Sequence, residues 1–241
     1  MGDPLPPAPA EVLDVHRLRL VEVPSPRLSP AEQQARDRAW DEAVRRNPTL
    51  FDGPVVACEG VRWDAPGEPV LSWSRVTYRH YALRWVPGAV RPASLSVVLL
   101  QPTDDGRLLL GRMSASTAAP GKWQPPGGSV EPPGPGEPLD TAALRRNAAR
   151  ELAEETGVVV APGELVLRAI TRGQYGSVGT VFLAPPLPEV RLRERFATLA
   201  ASERELVEIV FVGAPAELAD LRGPHADFLE PAVRRFGRRE G

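Results

Sequence analysis

The stretch that decides the fold of this chain is residues 150–158, which read Arg150-Glu151-Leu152-Ala153-Glu154-Glu155-Thr156-Gly157-Val158. On an α-helix, Glu151, Glu154 and Glu155 stand at positions i, i+3 and i+4, so their carboxylates share one face within about 100° of arc. Asp140 is a suitable N-cap, and Gly157 is suited to end the helix in a left-handed conformation. The pattern therefore predicts a helix from about residue 141 to residue 156 with three acids on one side.

These three acids are electrostatically unfavourable for that helix. They lie in its last turns, where negative charge opposes the helix dipole by roughly 0.3–1 kcal/mol per group. Arg150 can pair with Glu154 at i+4 but cannot neutralise all three acids. A hard divalent cation can, because carboxylate oxygens are the ligands that Mg²⁺ and Mn²⁺ prefer. The alternative is a solvated acidic face without a metal.

A loop rich in glycine and proline precedes the helix and reads Trp123-Gln124-Pro125-Pro126-Gly127-Gly128-Ser129-Val130-Glu131. Two strands are predicted before it, at residues 95–100 and 108–112, and Thr103-Asp104-Asp105-Gly106 between them is a hairpin signal. Two consecutive glycines between a strand and a helix let the backbone approach a phosphate or an ion closely. This neighbourhood favours a metal and phosphate site over a solvated acidic face.

Together these residues resemble the Nudix hydrolases, whose signature reads G-x5-E-x7-R-E-U-x-E-E-x-G-U, with U an aliphatic residue. Residues 150–158 match the second half of that signature at every defined position. The resemblance covers about residues 92–215 and implies an α+β protein with the Nudix fold, a mixed β-sheet sandwiched between α-helices. It also implies Mg²⁺-dependent hydrolysis, with Mn²⁺ as the alternative metal, of a small molecule linked to a nucleoside diphosphate.

The resemblance also assigns roles to individual residues. It implies that Arg150 orients the neighbouring carboxylates, one of which helps to activate water. Metal binding falls to the side chains of Glu151, Glu154 and Glu155 and to the carbonyl of Gly128. Nudix enzymes often keep one further catalytic or metal-binding carboxylate near a late strand, and among the acids at residues 203–208 we assign that role to Glu205.

The match departs from the signature in its first half. Counting eight residues back from Arg150 leads to Ala142, where the signature has Glu. The pair Gly136-Glu137 has the expected composition, but the box then reads G-x8-E-x12-R, with eight extra residues. We expect residues 132–138 to form an exposed loop and Glu137 to fold back toward Arg150 and brace it.

Residues 1–90 predict a separate α+β module ahead of the Nudix domain at residues 91–241. Ser29-Pro30-Ala31-Glu32 has the form of a capping box that opens a helix, which should run to about Arg46. A loosely alternating strand is expected within residues 12–23, and β-rich runs follow the helix between residues 51 and 85.

The same module carries a second resemblance. Residues 39–53 together with Thr77-Tyr78-Arg79-His80-Tyr81 are similar to the leader of the UDP-glucose-hydrolysing branch of the family. That resemblance implies a UDP-sugar substrate, with Tyr78 and Arg79 as substrate contacts. Two alternatives stay open: hydrolysis of an ADP-linked sugar or a dinucleotide, and a Nudix-fold ligand-binding or regulatory protein without catalysis.

Composition limits the other kinds of partner. The net charge of −2 gives no electrostatic case for binding nucleic acid or a membrane surface. No apolar run approaches the roughly 18–20 residues that cross a bilayer, and the N-terminus lacks the basic start and apolar core of a signal peptide. With one cysteine, Cys58, no internal disulfide can form, so a cytoplasmic location is the default. The sequence leaves a homodimer open.

Overall fold

The structure is a computed structural model, and it describes residues 9–200 and 204–238. Most of the N-terminal stretch on which the signal-peptide expectation rests therefore lies outside the described residues. The described strands are β1 (Glu11–Asp14), β2 (Arg19–Glu22), β3 (Pro54–Ala65), β4 (Glu68–Thr77), β5 (Ala93–Leu100), β6 (Leu108–Met113), β7 (Trp123–Gln124), β8 (Val166–Arg172), β9 (Val178–Leu183) and β10 (Leu206–Val212). The described α-helices are α1 (Pro30–Arg46), α2 (Thr141–Thr156), α3 (Glu189–Thr198) and α4 (Leu229–Phe236), and 3-10 segments cover Tyr78–Trp85, Pro162–Glu164 and Pro215–Asp220. Within these ranges no helix is long and apolar enough to cross a membrane.

Seven strands form one mixed sheet in the order β1-β8-β9-β5-β3-β4-β2, and a second sheet has the order β10-β6-β7. In the large sheet β5 pairs with β9 and β2 with β4 in parallel, and the other neighbours are antiparallel. A flat sheet of seven strands is about 29 Å across. Yet β1 and β2, at its two edges, are joined only by residues 15–18, which reach at most about 18 Å. The sheet is therefore strongly curled, so that its edges approach each other.

Helix α2 forms as its sequence predicts. The Asp140 carboxylate caps its N-terminus by accepting a 2.7 Å bond from the backbone N–H of Ala143, and Gly157 ends it at φ 73°. Leu144 and Leu152 are completely buried where the helix packs on β5 and β9. Burying each of these leucines stabilises the fold by about 1.5–3 kcal/mol, which fixes the rotation of α2 and hence the direction of its acids.

Helix α1 also begins and ends as predicted. Ser29 and Glu32 form the complete capping box, and Asn47 caps the other end ahead of Pro48. Trp40 is buried on the inner side of this helix and meets the ring of Tyr78 edge-on, with 6.2 Å between centroids. Helix α1 is thereby packed against the 3-10 segment Tyr78–Trp85.

The expectation of β-rich structure up to residue 83 is wrong at its end. The chain leaves β4 at Thr77 and forms the 3-10 segment Tyr78–Trp85. Four consecutive residues of that segment, His80 to Leu83, are buried, so the segment is packed into the core along much of its length. The Tyr81 hydroxyl donates a 2.9 Å bond to the Val56 carbonyl, so tertiary contact decides the local conformation here.

The Asp-Gly turn at residues 103–106 is present, but the strands on either side do not form a long hairpin. Backbone bonds join Leu109 to Gln101 and Thr103 to Arg107, and the strands then diverge, β5 into the large sheet and β6 into the small one. Hydrophobic side chains on both strands are buried, so each strand can serve a different layer of the core. The sequence predicts the turn at residues 103–106, but it does not predict that β5 and β6 belong to different sheets.

Three smaller differences concern the remaining elements. Residues 12–23 contain two strands, β1 and β2, at opposite edges of the sheet. The sequence predicts two short helices at residues 215–221 and 225–235, and the first of them is a 3-10 segment, Pro215–Asp220. Helix α3 was not anticipated, although Leu192 and Phe196, four residues apart and both buried, are the signal that reveals its inner face.

The division into residues 1–90 and 91–241 stays a prediction, and the large sheet crosses it. Ala57 and Cys58 of β3 pair with Ser94 and Ala93 of β5, and β1 pairs with β8 along its whole length. Because these pairs are part of one hydrogen-bonded sheet, the N-terminal strands and the later strands share one continuous backbone framework.

Candidate active site

Helix α2 places its three acids in different environments. The Glu155 residue is only 2% exposed, and the Glu151 side chain is 13% exposed, whereas the Glu154 side chain is 57% exposed. Residues four apart on a helix lie one above the other, so Glu151 and Glu155 point the same way, along the inner edge of α2. The structure therefore brings two of the three predicted ligands into a sheltered site and leaves the third at its rim.

The loop before the helix runs along β5. The N–H groups of Val97 and Leu99 donate to the carbonyls of Gly128 (2.9 Å) and Pro126 (2.8 Å), and the Val130 N–H donates to the Leu95 carbonyl (3.0 Å). These bonds fix the backbone between the strand and the acids. The carbonyl of Gly128, predicted to join the metal ligands, keeps one lone pair free for that role.

Both glycines of this loop are required by close approaches. Gly127 has φ 148°, and a Cβ there would lie 2.2 Å from the Val97 carbonyl oxygen. A Cβ on Gly128 would lie 2.5 Å from Oε2 of Glu151. The Gly127 N–H donates a 2.7 Å hydrogen bond to Oε2 of Glu155, so the loop and the helix are joined at the acids themselves.

Arg150 lies among three carboxylates. Its guanidinium contacts Glu154 at 2.7 Å, Glu151 at 2.8 Å and Glu131 at 3.1 Å. Glu131 thus provides the loop carboxylate that braces Arg150, and the expectation that Glu137 folds back to do so is wrong. Glu137 is held in a turn of its own, where its N–H donates 3.1 Å to the Gly134 carbonyl, and it makes no ion pair with any described residue.

The extra residues of the box form the expected loop. Residues 132–138 contain no helix or strand, and 135–138 are exposed. Their insertion explains why Glu137 fails to reach Arg150. Glu131 precedes the insertion and directly follows Val130, which is bonded to β5. Its position relative to helix α2 is therefore independent of the length of the inserted loop.

Burial governs the ionisation of the inner acids. It raises the pKa of Glu151 to about 7, partly offset by the positive charge of Arg150. The pKa of Glu155 is raised well above its ordinary value, again chiefly by burial, although the bond from Gly127 acts in the opposite direction. The charge of Glu205 further raises both pKa values, which places this predicted residue within electrostatic reach of the pair.

The inner acids fit a divalent cation. Oε1 of Glu155 is buried and has no hydrogen-bond partner among the described residues, which is costly for a charged oxygen unless an ion approaches it. The oxygens of Glu151 and the Gly128 carbonyl offer further hard ligands beside it. In the described part of the chain no three acidic, histidine or cysteine side chains already enclose one point, and Glu154 is held in an ion pair with Arg150.

The two predicted substrate contacts have different surroundings. Tyr78 lines a pocket of about 310 Å³ between helix α1, the 3-10 segment and the loop at residues 115–120. Its pKa is raised mainly by burial and further by the charge of Glu205, so Tyr78 and the acids of α2 both lie near that residue. Arg79 is not in the pocket lining, and its guanidinium is paired with Asp52 at 3.1 Å and Asp37 at 3.6 Å.

We call this cavity the aromatic pocket, and we define it by Trp40, Asn47, Tyr78, Arg84, Trp85 and residues 115–120. Sequence reasoning missed Arg84 and Glu131 as site residues. Glu131 lies in the loop that resembles the signature, so the loop itself held the signal. The concentration of tryptophan in the first third of the chain was the signal for the pocket, but no spacing pointed to Arg84.

Comparison with known proteins agrees with this geometry. A family model described as the NUDIX domain matches residues 90–236, more than half of the chain. The chain therefore belongs to the Nudix hydrolase family, and its mixed sheet with flanking helices is the fold of that family.

Solved structures include similar proteins. A MutT protein from Methanosarcina mazei Go1 is 24% identical (TM-score 0.39), with 60% of this chain and 92% of that chain covered. The ORF135 protein of E. coli is 25% identical (TM-score 0.35), with 58% and 87% covered. A bifunctional NMN adenylyltransferase/ADP ribose pyrophosphatase from Francisella tularensis, complexed with AMP and a Mn ion, is 17% identical (TM-score 0.41), with 61% and 42% covered. No curated protein matches the chain.

Proposed function

We propose that this chain hydrolyses the pyrophosphate of a nucleoside diphosphate linked to a second group, with Mg²⁺ as its metal and a UDP-sugar as its preferred substrate. Mn²⁺ is the alternative metal, and the cytoplasm is the proposed location. The observation that carries the proposal is Glu155, whose carboxylate is bonded by Gly127 through one oxygen and unpartnered at the other. A buried carboxylate with one unpartnered oxygen, next to the second buried carboxylate of Glu151, is suited to holding a cation.

The metal would be held by Glu151 and Glu155, with Glu154 and the Gly128 carbonyl as further ligands. When bound, Mg²⁺ supplies positive charge that neutralises the phosphates and lowers the pKa of water. Arg150 keeps the carboxylates of Glu151 and Glu154 in place through its ion pairs. The loop bonds to β5 hold the Gly128 carbonyl against the same site.

The proposed reaction is a hydrolysis. The oxygen of a water molecule forms a bond to one phosphorus while the bridging P–O bond breaks, and the water proton passes to a carboxylate. We assign this proton to Glu205, which is exposed and whose charge reaches both inner acids. With UDP-glucose the products are UMP and glucose 1-phosphate.

We assign substrate selection to the residues before position 90. Tyr78 lines the aromatic pocket, and the charge of Glu205 reaches it, which supports a role in binding the part of the substrate that does not react. Arg79 stays a candidate contact, although its ion pairs with Asp52 and Asp37 compete with a phosphate. A homodimer remains an open expectation.

The test is phosphate chemistry on a panel of substrates. UDP-glucose, UDP-galactose and ADP-ribose are compared by kcat/KM with Mg²⁺, with Mn²⁺ and with a chelator, and the products are identified. We expect metal-dependent cleavage with UDP-glucose or UDP-galactose preferred. If kcat/KM is higher for ADP-ribose than for the UDP-sugars, the proposed UDP-sugar substrate is wrong and the ADP-linked alternative replaces it. Binding of these compounds without cleavage under any metal condition identifies a ligand-binding protein and refutes the proposed catalysis.

A further inference from the structure

The aromatic pocket offers a binding site beside the carboxylates. Its volume of about 310 Å³ lies at the lower end of the range for small-molecule sites, roughly 300–1,000 Å³. Apart from residues 115–120, its lining lies outside residues 90–236, the part that matches the family model. The pocket is therefore formed mainly by the residues that this chain adds to the Nudix domain.

The aromatic side chains suit a flat ring. Trp85 lines the pocket and is 56% exposed, so its indole face is open to a ligand. Trp40 and Tyr78 form the deeper wall, and the Tyr78 hydroxyl makes no hydrogen bond to any described residue. An exposed indole and a half-buried tyrosine with a free hydroxyl in one pocket suit a ligand that has both a π-face and polar edges, as a nucleobase has.

Arg84 gives the pocket an available positive charge. Its Nε donates to the Tyr81 carbonyl at 2.8 Å, and its guanidinium carbon lies 5.3 Å from the Tyr81 ring centroid and 5.5 Å from that of Trp85. Among the described residues no carboxylate lies within ion-pair distance of Arg84. The pocket's other arginine, Arg46, is paired with Glu42 at 2.9 Å. An arginine stacked on aromatic rings without an acid partner is suited to a phosphate.

The pocket is connected to the acids of α2 through Glu205. The Glu205 carbonyl accepts a 2.7 Å bond from the N–H of Ser114, the residue just before the loop at 115–120. The same loop is tied to helix α1, because the Asn47 side chain donates to the carbonyls of Ser116 and Thr117. One loop thus links the pocket to the residue whose charge reaches Glu151 and Glu155.

We infer that the aromatic pocket binds the nucleotidyl half of the substrate, with the base against Trp85 and Tyr78 and its phosphate at Arg84. This inference rests on the proposed function, since it locates part of that substrate. It assigns a phosphate contact to Arg84, a residue that the sequence analysis did not single out. The binding site is independent of the metal, so it can be tested without turnover.

The experiment measures equilibrium binding of UMP and of AMP to the full chain in a chelator, by calorimetry and by tryptophan fluorescence. Trp85→Ala and Arg84→Gln should each weaken binding about ten-fold, because a stacked base and a charge-assisted bond each contribute on that scale. Trp85→Phe should recover most of the affinity. The control is Trp63→Ala, which removes an exposed tryptophan from β3 outside the pocket and should bind as the unaltered chain does.

Kinetics separate this inference from the proposed function. With UDP-glucose and Mg²⁺, the pocket variants should raise KM about ten-fold and leave kcat nearly unchanged. Unaltered affinity for both nucleotides in Trp85→Ala and Arg84→Gln overturns the inference, whether or not the chain is a hydrolase. Failure of the intact chain to bind either nucleotide also overturns it. If the intact chain binds UMP or AMP through these residues but cleaves no substrate, the inferred nucleotide site is supported and the proposed hydrolysis is refuted.

Discussion

Helix α2 and the 3-10 segment Tyr78–Trp85 both lie within reach of the charge of Glu205, yet they present opposite charges. On α2, Glu151 and Glu155 are sheltered acids with one oxygen left unpartnered. On the 3-10 segment, Arg84 is a cation stacked on aromatic rings without an acid partner among the described residues. Arg84 can therefore bind a phosphate directly, whereas the acids of α2 can do so only through a metal cation.

The two regions also differ in how they are held. The acids of α2 are fixed by a buried helix and by a loop bonded along β5. The aromatic pocket depends on exposed side chains and on a loop tethered by Asn47. Substitutions at the acids of α2 should therefore lower kcat. Substitutions in the aromatic pocket should instead weaken substrate affinity.

The largest expected effect comes from Glu155→Gln. The amide keeps the shape and the bond from Gly127 but removes the charge that holds a cation, so kcat with UDP-glucose and Mg²⁺ should fall by about 1,000-fold or more. The matched control is Glu194→Gln, which alters an exposed glutamate on α3 and should keep full activity. Full activity of Glu155→Gln across a range of Mg²⁺ concentrations would remove Glu155 from the metal ligands.

The two adjacent glycines should fail in different ways. Gly127→Ala places a Cβ against the Val97 carbonyl at positive φ, so stability to urea should fall by about 3 kcal/mol. Gly128→Ala instead pushes on the Glu151 carboxylate, so the fold should survive while the Mg²⁺ concentration for half-maximal activity rises about ten-fold or more. Gly134→Ala, in the inserted loop, is the control. Equal losses of stability in the two variants would contradict this division of roles.

One buried group in each region, Glu151 on α2 and His80 on the 3-10 segment, predicts a pH dependence of the metal-free stability, and the two dependences are opposite. The folded pKa of Glu151 is raised to about 7 from an ordinary value near 4.5, so the folded state holds the proton more tightly. Stability contributed by Glu151 is therefore full below about pH 4.5 and lost as the pH rises toward 7, by up to about 3 kcal/mol. Burial lowers the pKa of His80, so its contribution is lost as the pH falls below about 6.5.

Denaturant unfolding in a chelator, from pH 5 to pH 8, measures these contributions. Glu151→Gln should be more stable than the unaltered chain at pH 8 and nearly equal to it at pH 5. His80→Gln should change stability relative to the unaltered chain mainly at the acidic end. A difference between Glu151→Gln and the unaltered chain that does not vary with pH would show that burial of this acid carries no penalty.

A smaller effect tests which loop acid braces Arg150. Glu131→Gln should lower kcat/KM about ten-fold, because Arg150 loses a partner that orients its guanidinium toward Glu151 and Glu154. Glu137→Gln should leave kcat/KM unchanged. In an Arg150→Gln background, Glu131→Gln should cause no further loss, since the two residues act as a unit. If Glu137→Gln lowers kcat/KM and Glu131→Gln does not, Glu137 regains the role of bracing Arg150 that we expected for it from the sequence.

That pair of acids shows where sequence reasoning reached its limit. The helix, its caps and the direction of its acids follow from local rules, namely the caps Asp140 and Gly157 and the two buried leucines eight residues apart. The partner of Arg150 depends instead on the path of an inserted loop. The Gly136-Glu137 pair pointed to Glu137, whereas the loop backbone that runs beside β5 brings Glu131 to the arginine.

The same limit applies to the N-terminal residues. The capping box of α1 was readable, but the 3-10 conformation of Tyr78–Trp85 depends on a bond from Tyr81 to β3 and on burial against α1. The two arginines of that segment, five residues apart, then receive different surroundings, Arg79 with two aspartates and Arg84 with aromatic rings. Their sequence neighbours are alike, so only tertiary contacts distinguish a structural arginine from one that can bind a ligand.

The smallest predicted effect tests the tether of the aromatic pocket. Asn47→Ala removes side-chain bonds to the carbonyls of Ser116 (3.2 Å) and Thr117 (3.0 Å) without touching the rings that line the cavity. Two partly exposed bonds contribute about 1 kcal/mol, so KM for UDP-glucose should rise about three-fold while kcat stays the same. The control is Ser25→Ala, which removes a comparable bond from an exposed side chain to the Arg75 carbonyl (2.7 Å) away from the pocket. A rise in KM in both variants would indicate general loosening of the fold, and a fall in kcat in Asn47→Ala alone would mean that the loop positions Glu205 and its proton transfer.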